Sequence, residues 1–247
     1  MIISNKKIII ILVVIIIIYY IIQYNIYTSA TIINKLLDYF CLDPPILDPA
    51  DFEWTQQFRS NWIGIKNEYI DYSTRHTVPL HLEINSIVSA QTPGWHTLYL
   101  RAFGIDTAVS EKFPLTMSLI RSCPCTLAFF SVIAPGTKIK PHKGLYKGVI
   151  RYHLALIVPD DATNCFIHID NKKIHWTEGS DIMFDDIFIH YVENNTDQPR
   201  VVLFLDIQRD FHNKFINGLN SLFLKFIKSN DALTETITNV NNCHRKV

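Results

Sequence analysis

One uninterrupted apolar run constrains this chain more than any other feature. From Ile8 to Ile22 all fifteen residues are apolar or aromatic, and only Gln23 and Asn25 dilute the pattern before Tyr27. A helix over Ile8–Tyr27 would be about 30 Å long, enough to cross the hydrocarbon core of a bilayer. Tyr19, Tyr20, Tyr24 and Tyr27 gather at its C-terminal end, as an interfacial aromatic belt does. The alternative is a cleaved signal peptide, with Thr28-Ser29-Ala30 as the small-residue cleavage site. The length of the run and its bulky tyrosines favour an uncleaved, single-pass transmembrane helix within residues 1–30. Lys6 and Lys7 precede the run, and only Lys35 follows it closely. That bias predicts a cytoplasmic N-terminus and a lumenal or exoplasmic domain.

Behind the run the chain reads as a globular domain. Hydrophobic residues make up 48% and charged ones 19%, which excludes wholesale disorder. Lys and Arg together number 23, and so do Asp and Glu, a balance that argues against nucleic acid as a partner. Cys41, Cys123, Cys125, Cys165 and Cys243 contain no C-x-x-C pair, so neither a zinc site nor a disulfide scaffold is expected. Cys123 and Cys125 read as ordinary thiols or as partners in a lumenal disulfide.

Residues 31–50 read as a proline-containing linker, stiffest over Leu42–Pro49. Phe52, Phe58, Trp62, Ile65 and Tyr69 then recur at helical spacing, predicting a helix over Asp51–Tyr72 with Asp51 as its N-cap. From Leu127 the period changes to two. Leu127–Ile133, Val149–Val158, Cys165–Ile169, Lys173–Trp176, Ile182–Phe184, Phe188–Val192 and Val201–Asp206 read as strands. Turn residues such as Pro135-Gly136, Asp170-Asn171 and Asn194-Asn195 separate them. Short strands at this spacing predict a mainly β sandwich, jelly roll or barrel with flanking helices, and no G-x-G-x-x-G or P-loop is present. The domain is expected over residues 51–210. Residues 211–247 follow as an amphipathic helix, docked on the sheet or lying on a membrane, and a polar tail.

Five of the ten histidines, His142, His153, His168, His175 and His190, fall in the β-rich region. His142 lies in Pro135-Gly136-Thr137-Lys138-Ile139-Lys140-Pro141-His142-Lys143-Gly144, a strand entrance flanked by turn residues. His190 follows the carboxylates Asp185 and Asp186. Two imidazoles brought together by a jelly roll would suit a borderline metal such as Fe(II), with an adjacent Asp holding one ring from behind. Arg151 and His153 share one face of their strand, while Tyr152, Leu154 and Leu156 take the other. If a hairpin turned near Asn195, Arg200 would lie opposite His190 and present its fork beside it. The bland reading of Arg151, His153 and Arg200 is surface pairing, of Arg200 with Asp185 or Glu193. Asn194-Asn195-Thr196 is an N-glycosylation sequon in that same turn.

These residues also carry a family resemblance. Phe130-Ser131-x3-Pro135-Gly136-x4-Pro141-His142-x-Gly144, Arg151-Tyr152-His153-Leu154, Phe184-Asp185-Asp186-x3-His190 and Arg200 together resemble the aspartyl/asparaginyl β-hydroxylase family. The match runs over about residues 94–210. The resemblance implies a double-stranded β-helix of the cupin kind and a dioxygenase that uses Fe(II), 2-oxoglutarate and O2. It implies that His142 and His190 ligate the metal and that Arg200 pairs the distal carboxylate of 2-oxoglutarate. It further implies that Ser131, Arg151 and His153 help bind the cosubstrate, and that Asp186 stands behind the second histidine. The family has Gly at the position of Gly144, where most 2-oxoglutarate oxygenases place a carboxylate ligand. The activity expected first is hydroxylation of an Asp or Asn side chain in a protein. Hydroxylation of a lipid A-type acyl chain and a non-enzymatic, degenerate binding protein are the alternatives.

Overall fold

The computed structural model describes residues 26–41, 43–79, 92–228 and Thr238. In chain order these begin with helix α1 (Ile26–Leu37), strand β1 (Ile46–Leu47) and helices α2 (Glu53–Ser60) and α3 (Trp62–Ser73). Strands β2 (Trp95–Ala102) and β3 (Ile105–Asp106) and helix α4 (Pro114–Arg121) follow. The remaining strands are β4 (Cys125–Ile133), β5 (Lys138–His142), β6 (Val149–Ile157), β7 (Cys165–Ile169), β8 (Lys172–His175), β9 (Asp181–Phe184), β10 (His190–Asn194) and β11 (Arg200–Gln208). Helix α5 (Lys214–Lys228) comes last. The apolar run Ile8–Ile22 lies outside the described residues. Among those described, no helix is long and apolar enough to cross a membrane.

Two antiparallel sheets face one another. The larger has the order β1-β9-β6-β11-β4-β2-β3 and the smaller the order β5-β10-β7-β8. The chain shuttles between them, with β4, β6, β9 and β11 in one and β5, β7, β8 and β10 in the other. That is the wiring of a jelly roll, or double-stranded β-helix. The period-two pattern of the long strands of the larger sheet divides their side chains between two cores. On β6, Ile150, Tyr152, Leu154 and Leu156 face a helical layer, where they meet Phe58 of α2, Ile65 and Tyr69 of α3 and Ile120 of α4. On β11, Val201, Leu203, Leu205 and Ile207 do the same. The alternate residues of both strands point between the sheets, where Ala155, Val202 and Phe204 meet Ile167, Ile169 and Val192 of the smaller sheet.

The segment expected to be a linker is part of this fold. Ile46 and Leu47 pair with Phe184 and Met183, so β1 adds an edge strand to the larger sheet. Asp48, rather than Asp51, acts as a cap: its side chain accepts from Ala50 N at the start of a short 3-10 turn. The helix expected over Asp51–Tyr72 is two helices. The chain breaks at Asn61, whose backbone leaves helical geometry and whose Nδ2 donates to Gln57 O at 2.8 Å. β2, β5 and α4 were not legible as elements. β5 holds only one fully buried side chain, Ile139, and carries a proline. The tail helix docks: Ile216, Phe223 and Ile227 share a core cluster with Ala30 and Leu37 of α1, Tyr146 and Phe211.

Candidate active site

His142 and His190 are brought face to face by a defect in the β5–β10 ladder. Val192 pairs with Ile139 and Glu193 with Lys138, but His190 pairs with His142, so β5 carries one extra residue between the two pairs. Without that bulge the residue opposite His190 would be Pro141, and His142 would turn to the outer face with Lys138 and Lys140. A bulge re-aims a side chain in just this way, and Pro141, with no N–H to donate, suits the interrupted ladder. The ring centroids of the two histidines lie 4.2 Å apart.

Both rings are set in the same tautomer. His142 Nδ1 donates to Lys140 O and His190 Nδ1 donates to Phe188 O, each at 2.9 Å. A carbonyl only accepts, so each Nδ1 carries the proton and each Nε2 keeps a free lone pair. Burial holds both rings neutral: it lowers the His142 pKa and, with Arg151 and His142 adding to the effect, takes that of His190 down to about 3. Two neutral imidazoles with backbone carbonyls behind them form a donor set that fits a divalent metal. Among the described residues no third His, Cys, Asp or Glu completes a cluster with them.

The space beside Gly144 is filled by a carboxylate. A Cβ on Gly144 would overlap the carboxylate of Asp186, and Gly144 N donates to Asp186 O at 2.6 Å. Asp186 is itself held by Arg151 Nη2 at 2.8 Å, and Arg151 Nε reaches its cross-strand neighbour Asp206 at 3.1 Å. Burial pushes the Asp186 carboxyl up to about 6 against the pull of Arg151. Arg151 is therefore engaged by two carboxylates and lies over the Phe204 ring.

Arg200 is different. It is 1% exposed, its Nε and Nη1 have no hydrogen-bond partner, and it rests over the Trp176 ring at 4.6 Å. Neither suggested surface partner pairs with it: Asp185 is bound by Arg209 and Glu193 by Lys138. Burial lowers the Arg200 pKa to about 10, which still leaves it charged at neutral pH. His153, on the same inner wall, has both ring nitrogens buried without partners, and burial beside Arg200 holds its pKa well below the usual value. A buried, unpaired guanidinium is costly unless a ligand completes it. These orphaned donors fit a carboxylate.

Arg200 is not across a hairpin from His190, as the turn at Asn195 had implied. β10 and β11 belong to different sheets, and Arg200 pairs with Ile133 of β4. Both side chains nonetheless face the space between the sheets. Ser131 lies on β4 beside Val202, where its Oγ accepts from Trp95 Nε1 at 3.0 Å. His168 stacks on Tyr191 and His175 donates to Ala162 O, both on the smaller sheet's far side from the pair. The sequon asparagine is not available for glycan attachment in this fold. Asn194 is 0% exposed, and its Nδ2 donates to Ile133 O and Gln198 O.

One residue outside the motifs ties the site together. Arg209 is 2% exposed and donates through Nε to Lys147 O, in the segment that follows His142. Its Nη2 pairs with Asp185 at 2.7 Å, just before the turn leading to His190, and its Nη1 binds Asp43. Nothing in the local sequence marks Arg209, because its partners come from three distant segments. α1 grips the same segment: Asn34 Nδ2 donates to Leu145 O and Lys147 N donates to Asn34 Oδ1, each at 2.9 Å.

A jelly roll with two neutral histidines and an unpaired arginine between its sheets defines a double-stranded β-helix protein whose inner donors would suit a metal and an anion. The chain belongs to the aspartyl/asparaginyl β-hydroxylase family, whose model matches residues 59–210. It is 34% identical over 196 residues to the ornithine lipid ester-linked acyl 2-hydroxylase of Rhizobium tropici, covering 75% of this chain and 70% of that one. To human aspartyl/asparaginyl β-hydroxylase it is 33% identical over 97 residues, 39% of this chain and only 12% of that protein. To human aspartate β-hydroxylase domain-containing protein 2 it is 32% identical, and it spans 37% of that relative's length. Among solved structures it overlaps the Cupin_2 domain of an Enterobacter cloacae regulator at 14% identity and a TM-score of 0.34, covering 47% of this chain and 99% of that one.

Proposed function

We propose that this protein is a membrane-anchored, Fe(II)- and 2-oxoglutarate-dependent dioxygenase that hydroxylates the acyl chain of an amphiphilic lipid. The observation that carries the enzymatic reading is Arg200, buried with unpartnered donors and facing the same inter-sheet space as a pair of histidines whose Nε2 atoms are free. In this reading Nε2 of His142 and His190 hold the iron, and Arg200 with His153 holds the distal carboxylate of the cosubstrate. When bound, iron, 2-oxoglutarate and O2 supply the oxidising power that replaces a C–H bond with C–OH. The chain's own contribution is placement. Carbonyl O atoms of Lys140 and Phe188 fix both rings, while Arg151 and Asp206 keep Asp186 packed over Gly144. Phe184, Phe204 and Trp176 wall the space and exclude water.

Two observations favour a lipid over a peptide. The match to the lipid hydroxylase extends over three quarters of this chain, well beyond the 39% aligned to the human enzyme. The segment next to His142 is also clamped to α1, the helix that directly follows the apolar run. In this proposal residues 8–27 span the membrane with Lys6 and Lys7 on the cytoplasmic side, and the site opens close to the bilayer. The second reading, hydroxylation of an Asp or Asn side chain, rests on the family to which the chain belongs. Full-length protein in detergent would be incubated with Fe(II), 2-oxoglutarate and O2. Its substrates would be ornithine lipid, lipid A or Asp- and Asn-containing peptides, followed by mass spectrometry. A gain of one oxygen on a lipid acyl chain is expected; a gain on peptides alone would reverse the substrate assignment. Protease protection of the domain in sealed vesicles tests the orientation.

A further inference from the structure

Two helices that take no part in the chemistry leave an apolar, basic surface open to solvent. α1 buries Ala30 and Leu37 against α5, but Ile32, Leu36, Tyr39 and Phe40, on α1 and just beyond its end, stay exposed. Ile32 and Leu36, four apart, share one face of α1, and Tyr39 and Phe40 follow in the turn at its end. On α5, Ile216, Phe223 and Ile227 are buried while Phe215 and Leu222, two turns apart, are 61% and 59% exposed. These six account for more than half of the eleven large hydrophobic side chains exposed among the described residues. Isolated exposed hydrophobics are ordinary, whereas a concentration on two packed helices is not.

The charges carried by the two helices are all basic. Neither α1 nor α5 contains an acidic residue, while Lys35, Lys214, Lys225 and Lys228 are all exposed. The nearest acid in sequence after α1, Asp38, is tied to Lys147 at 2.7 Å. Apolar side chains flanked by lysines match the boundary between acyl chains and anionic headgroups, where a lysine's stem lies in apolar surroundings and its ammonium reaches phosphate. The position in the chain agrees: α1 begins at Ile26, four residues after the run Ile8–Ile22 ends.

We propose that α1 and α5 together form a platform that lies on the headgroup region of an anionic bilayer, in addition to the apolar segment that precedes α1. The proposal rests on the membrane reading of residues 8–27 and not on the choice of substrate. Asn34 of α1 holds the Leu145–Lys147 segment and Asn220 of α5 bonds Tyr146 and Gly148, so hydrogen bonds tie the platform to the loop that follows His142.

The test uses the full chain reconstituted into phosphatidylglycerol-containing vesicles. An environment-sensitive fluorescent amino acid is placed at Phe215 or Leu222, with exposed Ile63 of α3 as the control position. Lipids brominated on the acyl chain are the quencher. Labels at 215 and 222 should be blue-shifted and quenched about threefold or more relative to 63, and Lys214→Gln with Lys225→Gln and Lys228→Gln should reduce that difference. Equal quenching at 222 and 63, in protein that resists alkaline extraction, would overturn the platform while leaving the anchor intact. Shielding at 222 without quenching by brominated lipid, growing with protein density, would assign the surface to a second copy and also overturn it. Protein that washes off at alkaline pH would remove the membrane reading itself, and with it the platform.

Discussion

The carboxylate of Asp186 fills the space in which a side chain on Gly144 would begin. Gly144 thus has a steric reason independent of backbone torsion. The arrangement is held by Arg151, which binds Asp186 on one side and Asp206 on the other.

Gly144→Ala should therefore displace Asp186. Overpacking of this kind costs about 1–3 kcal/mol, seen as a lower unfolding midpoint together with loss of hydroxylation. Asp186→Ala in the same chain should recover much of the stability but not the activity. Equal midpoints for Gly144→Ala and wild type would show that the carboxylate moves freely.

His142→Ala and His190→Ala should each abolish iron-dependent consumption of 2-oxoglutarate in protein that remains folded by circular dichroism. His168→Ala and His175→Ala, which lie away from the pair, should retain wild-type turnover. Activity surviving in His190→Ala would place the metal elsewhere.

Arg200→Met makes opposite predictions for stability and function. Without ligand the variant should be at least as stable as wild type, because a buried guanidinium with unmet donors is exchanged for an apolar side chain. It should lose the stabilisation that 2-oxoglutarate confers on wild type. Arg200→Lys, a single compact charge in place of a fork, should raise the apparent KM for 2-oxoglutarate strongly and leave Fe(II) binding in its absence nearly unchanged. Thermal shift and steady-state titration measure the two effects.

Without added metal, stability should fall as pH drops below about 6.5. In the unfolded chain an imidazole takes up a proton near that pH, but folded His190 stays neutral down to about 3. The unfolded state then binds more protons, so by pH 5 His190 alone withdraws roughly 2 kcal/mol. His142 and His153, also lowered, act in the same direction. Asp186, raised to about 6, opposes them because its folded form gains a proton first. Chemical denaturation at pH 7 and pH 5 should show the net loss, and His190→Asn should flatten the slope.

Arg209→Met should cost about 3–5 kcal/mol, since it strands the buried carboxylate of Asp185. Asp43→Asn should cost much less, because Asp43 is half-exposed. Urea denaturation of both variants would rank the two contacts.

Period-two alternation from Leu127 onward, punctuated by turn residues, was enough to read a mainly β sandwich, jelly roll or barrel. The spaced motifs around His142, Arg151, His190 and Arg200 identified the family. Those features are local: the side-chain alternation of a strand and the residue types of a short motif are written in consecutive positions. The sequence alone also presented the run at Ile8–Ile22 and the helical spacing of the tail. What it left open depended on which strands meet. The bulge that turns His142 inward exists only in the pairing of β5 with β10, and the separation of β10 from β11 into different sheets removed the expected hairpin partner of Arg200. Whether an arginine is paired or orphaned depends on carboxylates far away in sequence, which is why Arg151 and Arg200 look alike in the chain and differ in the fold. The same holds for Asn194, a glycosylation sequon by residue type whose amide the folded chain spends on the carbonyls of Ile133 and Gln198.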